Sequence, residues 1–176
     1  NGIMLVSCAL DFATLEFFPG HDLPYILHLP TYAATAWYHQ RLAPELQADL
    51  HATLAEVEAF AAGEYTLALM KGDALTAEET QQIAAKLARY TGLSVDYVLR
   101  SNLRIEIMRF CKELLREQRR TVGRLDTRFL GIDRDAAGEF FEHDPSMSNI
   151  MGPYTGAFYE YVRRDLKFES DLPYEI

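Results

Sequence analysis

Apolar residues recur along most of this chain at intervals of three and four, the spacing of a single buried helix face. Leu46, Leu50, Leu54, Val57 and Ala61 keep this spacing behind Pro44, a residue that the first turn of a helix tolerates. Before them, Thr31 to about Leu42 predicts a helix with Pro30 at its entrance. Gly63 is predicted to interrupt, and Glu64 to Met70 to form another short helix. Thr76-Ala77-Glu78-Glu79 matches a capping box, in which hydroxyl and carboxylate each bond an otherwise orphaned amide. Ile83, Leu87 and Tyr90 supply the stripe that follows, and Gly92 is a natural C-terminal stop. Ser94-Val95-Asp96-Tyr97 caps a short helix. A long helix is predicted from about Arg104 to Arg120, with Ile107, Phe110, Cys111, Leu114 and Leu115 on its apolar side. Ser146 to about Leu166 predicts the last helix, aromatic along Tyr154, Phe158 and Tyr161, with Gly152-Pro153 expected to break it or delay its start.

Two stretches depart from the helical period. Residues 2–10 form an almost unbroken apolar run, typical of a strand buried on both faces of a parallel sheet. Parallel neighbours are reached through crossovers of a dozen residues or more, and the rest of the chain reads mainly as helix. The run is therefore an orphan core strand. With no initiator methionine before it, it predicts that the chain is a piece of a larger protein. Its unpaired edge predicts packing against a second copy, giving a homodimer, or against the chain's own helices. In Thr121 to Phe129, Arg124, Asp126 and Arg128 alternate with Leu125, Thr127 and Phe129, which predicts a strand or short extended arm with one wet face. Residues 11–30 read as a loop or broken connection, and residues 131–145 as polar turns. The predicted fold class is mainly α, with one orphan β-strand at the N-terminus and a short extended arm near 121–129.

Composition narrows the function classes. The 176 residues are 49% hydrophobic and 24% charged, as in globular domains. A net charge of −9 argues against a nucleic-acid partner, because phosphate contacts need a basic surface. No apolar run is long enough to predict a membrane span. Cys8 and Cys111 make no disulfide framework and read as two buried, unpaired thiols.

Motifs assign no catalytic, cofactor-binding or metal-binding residue. A nucleophile elbow needs small residues on both sides of its serine, because a sharp strand-to-helix turn leaves no room for side chains. None of Ser7, Ser94, Ser101, Ser146, Ser148 and Ser170 has glycine at both −2 and +2. His21, His28 and His39 cluster in sequence but lack metal-ligand spacing, and packed or surface histidines are the default. Lys112, Arg116 and Arg120 share a helix face, with Arg119, Arg124 and Arg128 close behind. Interleaved Glu113 and Glu117 favour local ion pairs over an anion patch. Arg124, Asp126 and Arg128 could hold a terminal carboxylate, but a structural ion-pair cluster is the simpler reading. Tyr32, Trp37, Tyr38, Tyr154, Phe158 and Tyr161 read as core before they read as pocket.

Five segments carry a family resemblance. They are Asn1-Gly2-Ile3 through Asp11-Phe12, Leu29-Pro30-Thr31-Tyr32-Ala33-Ala34-Thr35-Ala36-Trp37-Tyr38-His39, Thr121-Val122-Gly123-Arg124-Leu125-Asp126, Gly152-Pro153-Tyr154-Thr155 and Asp171-Leu172-Pro173-Tyr174-Glu175. In these the chain resembles an internal stretch of a bacterial serine carboxypeptidase, a family with the α/β-hydrolase fold. The resemblance covers nearly the whole chain and touches no catalytic signature. It implies that the nucleophilic serine lies upstream of the first strand, and the catalytic Asp and His downstream of Pro173-Tyr174-Glu175. Residues 1–26 would be a remnant of a core strand and its connection, residues 27–172 the helical cap inserted over the active site, and residues 173–176 the start of the return to the core.

The resemblance implies a parent protein that hydrolyses C-terminal peptide bonds and binds a peptide substrate, without a cofactor. A secreted or periplasmic location is suggested on the same ground only. This segment would shape and cover the substrate cleft while lacking the triad. The alternative from a different class is a free-standing helical protein-interaction module without enzymatic activity.

Overall fold

A computed structural model describes residues 2–6 and 8–172, and 58% of these lie in helix, against roughly a third in ordinary domains. The helices are α1 (Leu23–Tyr38), α2 (Pro44–Gln47), α3 (Leu50–Phe60), α4 (Thr66–Lys71), α5 (Ala77–Thr91), α6 (Val95–Arg100), α7 (Ile107–Glu113) and α8 (Pro145–Arg164). Two short strands, β1 (Thr121–Val122) and β2 (Leu130–Gly131), pair antiparallel, with Thr121 opposite Gly131 and Val122 opposite Leu130. The predicted mainly α class holds.

The starts and stops follow local chemistry. Thr76 Oγ1 accepts from the Glu79 amide while the Glu79 carboxylate accepts from the Thr76 amide, completing the capping box of α5. Gly92 ends that helix at φ +71°, and a Cβ there would meet Arg41 Cβ at 2.8 Å. Ser94 caps α6 through the Tyr97 amide. Pro44 stands in the first turn of α2.

The interior forms around α1. Leu29, Tyr32, Ala33 and Ala36 on its inner side are buried, and the helix packs on α3 and α5. Phe110 of α7 is fully buried and stacks on Tyr32 with ring centroids 4.2 Å apart. Tyr65 donates its hydroxyl to the Leu103 carbonyl at 2.7 Å. Arg104 closes this corner with a forked pair to Asp22, 2.6 and 2.9 Å.

Several elements depart from the pattern-based expectation. The described residues between 2 and 10 belong to no strand, and Ile3, Met4, Leu5, Val6 and Leu10 are exposed. Among the described residues the predicted orphan strand is therefore unformed: none of them offers a parallel neighbour to bond its amides and carbonyls. Nor does the segment pack onto the chain's own helices, and Cys8 is exposed rather than buried. Helix α1 starts at Leu23, so Pro30 lies inside it rather than at its entrance. Burial of Leu29 and Tyr32 on either side outweighs the hydrogen bond that Pro30 cannot donate. The stripe from Leu46 to Ala61 is two helices, because Asp49 turns its carboxylate onto the amides of His51 and Ala52 and starts α3 afresh. Gly63 does not interrupt; the chain passes from α3 to α4 through a π turn, Ala61–Tyr65.

The predicted helix to Arg120 stops at Glu113. Leu114 and Leu115 are both buried, and the chain tightens into a 3-10 turn, Arg116–Gln118, before Arg119 takes φ +54°. Of the predicted strand or arm 121–129, Thr121–Val122 is strand β1 and the rest is the turn of a hairpin that β2 completes. Asp126 turns the chain, the Phe129 amide bonds its carbonyl, and the Gly123 amide bonds the Phe129 carbonyl. Gly152-Pro153 neither breaks α8 nor delays it. Residues 173–176, the expected return toward a hydrolase core, lie outside the described residues.

Candidate functional site

Two surfaces stand out. The first is a cleft of about 520 Å³ between the turn after α7 and the segment following β2. Lys112, Arg116, Arg119, Arg120 and Arg134 line it, with Asp133 and Asp135. The sequence places these cations close together, but the end of α7 at Glu113 separates their roles. Lys112 is buried; its ammonium bonds Asp133 Oδ2 and, at 2.6 Å, the Asp135 carbonyl. Burial works to raise the Asp133 carboxyl, yet the Lys112 ammonium and the amides of Glu142 and Arg134 outweigh it and hold the group below its usual value. Asp135 is likewise lowered, by the amides of Gly138 and Ala137. Arg116 pairs with Glu113 and donates to the carbonyls of Ala136 and Gly138. These contacts pin the loop 133–138 onto α7.

The second surface is apolar. Helix α8 buries only Pro145 and Ser146. It touches the hairpin through Gly123 and Gly131, where a Cβ would meet Ser146 and Pro145 at 2.9 and 2.8 Å. Beyond that joint Met151, Tyr154, Phe158 and Tyr161 repeat at intervals of three and four and are exposed, as are Leu166, Phe168 and Leu172 after the helix. With Ile3, Met4, Leu5, Val6, Leu10 and Phe12 at the other end of the chain, they make two stretches of exposed apolar side chains, more than isolated surface hydrophobes require.

The other sequence candidates fall apart spatially or settle into structural work. His28 bonds the Pro24 carbonyl at 2.9 Å and His39 the Thr127 carbonyl at 2.7 Å, so each ring ties backbone to backbone. No group of three His, Cys, Asp or Glu that could hold a metal occurs among the described residues. Arg128 forks onto Asp126, pulling that carboxyl down to about 2, while Arg124 reaches toward Asp144; the three do not share a strand face. Of the six aromatics, Tyr32 is in the core, Trp37 donates to the Gln47 carbonyl, and Tyr38 with the α8 trio is exposed. They line no common pocket. Burial pushes the Cys111 thiol up to about 12, where it is no nucleophile at neutral pH. Ser7 lies outside the described residues. No helix among the described residues is long and apolar enough to cross a membrane.

No family model, curated protein or solved structure matches this chain.

Sequence reasoning missed the α8 face as a surface, because aromatics at helical spacing ordinarily mark a core. The low helix propensity of Gly152, Pro153 and Gly156 is the available signal that this helix has little local support.

Proposed function

We propose that this chain is the helical cap of a serine carboxypeptidase with the α/β-hydrolase fold. In that role it shapes and covers the cleft in which a peptide's C-terminal bond is hydrolysed, and contributes no triad residue. The observation that carries the reading is the division of apolar surface. The segment from α1 to the hairpin holds nearly all of the buried core, while Ile3 to Val6, Leu10 and Phe12 at one end and Met151, Tyr154 and Tyr161 on α8 are exposed. A cap needs such a division, since it must be folded in itself and still lie against a hydrolase core. In the parent protein the chemistry would be attack by a serine that histidine activates and aspartate orients.

The reading is tested at two levels. The parent reading frame should encode a Gly-x-Ser-x-Gly elbow or close relative before Asn1 and a histidine after Ile176. The parent protein should release the terminal amino acid from N-blocked dipeptides, and a serine-directed phosphonate should abolish this. The 176-residue chain alone should release none. A frame lacking both elbow and histidine, or phosphonate-sensitive release by this chain alone, refutes the reading. A frame lacking both would favour the free-standing interaction module, for which the same uncovered surfaces would meet a protein partner.

A further inference from the structure

The cleft beside α7 holds positive charge that the protein's own contacts leave unused. The chain carries net −9, yet five cations and two carboxylates line this one space. Both carboxylates are committed: Asp133 to Lys112, and Asp135 through Oδ1 to the amides of Ala137 and Gly138. Three of the cations are committed as well. Lys112 and Arg116 hold the loop 133–138, and Arg134 pairs with Glu142 at 2.7 Å. That leaves Arg119 and Arg120. Their side chains are exposed and make no hydrogen bond or ion pair among the described residues. Adjacent in sequence, they line the same cleft.

We propose that this cleft binds a phosphate-class oxyanion of two or more negative charges, held by the guanidinium groups of Arg119 and Arg120. Two guanidiniums offer ten N–H donors, more than one carboxylate can accept and well matched to the several oxygens of a phosphate. The space of about 520 Å³ exceeds a single oxyanion and admits either a diphosphate or a phosphate attached to a small organic group. The positive charge is local, and the acidic remainder of the molecule excludes an extended polyanion such as nucleic acid. This site stands apart from the peptidase reading and does not depend on it.

The test is calorimetric titration of the 176-residue chain at low salt with inorganic pyrophosphate, and separately with adenosine diphosphate. One saturable site is expected for pyrophosphate, weakening as salt screens it. Equal affinity for the two ligands assigns the free anion, and tighter binding of adenosine diphosphate assigns an organic phosphate. Arg119→Gln with Arg120→Gln should weaken binding by about tenfold or more. Arg163→Gln with Arg164→Gln, near the far end of α8, should leave it unchanged. Arg119→Gly provides a second variant, because φ +54° suits glycine and the fold is kept; it too should bind more weakly at an unchanged melting temperature. No saturable binding of pyrophosphate at millimolar concentration overturns the proposal. So does undiminished binding by the Arg119/Arg120 variants, or an equal loss in the Arg163/Arg164 variant.

Discussion

Lys112 and Asp133 bring opposite charges together where neither is well hydrated, with side chains 2% and 9% exposed. Removing one partner leaves the other uncompensated. Lys112→Met is therefore expected to cost about 3–5 kcal/mol, and the Lys112→Met/Asp133→Leu double variant to recover most of it. Chemical denaturation of the four species in a double-mutant cycle measures this. The same pair sets an acid response. The folded Asp133 carboxyl titrates below its usual 3.8, so its contribution is complete above that pH and lost as pH falls through the folded value. Stability should drop on acidification below about pH 4, and the double variant should lose the part of that slope due to Asp133. Phe110 tests the other kind of burial. It is fully enclosed against Tyr32, so Phe110→Ala is expected to cost about 3–5 kcal/mol in the same denaturation assay, and a loss under about 1 kcal/mol would contradict its place in the core. Residue types at these positions were legible in part. Phe110 stood on an apolar stripe, whereas Lys112 was read as solvated, because its partner lies 21 positions away in a loop with no periodic pattern.

Helices α5 and α8 show opposite balances of local and tertiary support. Helix α5 carries its stop and start signals in its own sequence, from the Thr76 capping box to Gly92, and buries Ile83, Ala84, Leu87 and Ala88. Helix α8 contains Pro153 and two glycines, each unfavourable in a helix interior by about 1 kcal/mol for glycine and about 3 for proline relative to alanine. Among the described residues, its contacts with other elements concentrate at its first turn against the hairpin. In native-state hydrogen exchange, amides of residues 150–164 should exchange at far lower opening free energy than those of α5. Equal protection would contradict the marginal support read from its composition and its few contacts with other elements among the described residues.

At the scale of the molecule, the uncovered apolar ends govern behaviour in solution. Burying three large aliphatic side chains is worth roughly 5–8 kcal/mol before entropy is subtracted, and Ile3, Leu5 and Val6 are all available. The chain is expected to associate as a homodimer at laboratory concentrations, and deletion of residues 1–10 to shift sedimentation toward the monomer. Unchanged mass and stability after deletion would show that this segment has no role in association.

Local interactions were enough for the sequence to determine the class, the caps and most of the core. Thr76, Ser94, Pro44 and Gly92 act on backbone groups within four residues of themselves, and the stripe through Ile83 and Leu87 needs only a helix to lie on one face. Residues with distant partners were decided by tertiary structure alone. Pro30 sits inside a helix because packing holds the chain on either side, and Pro153 sits inside one that the hairpin joint holds at its first turn. Residues 121–129 form a hairpin because the register of Thr121 with Gly131 completes hydrogen bonds that alternation cannot specify. The run from Gly2 to Leu10 has the composition of a strand, and its described residues pair with no other described segment. A strand is a relation between two segments, which the composition of one segment cannot specify.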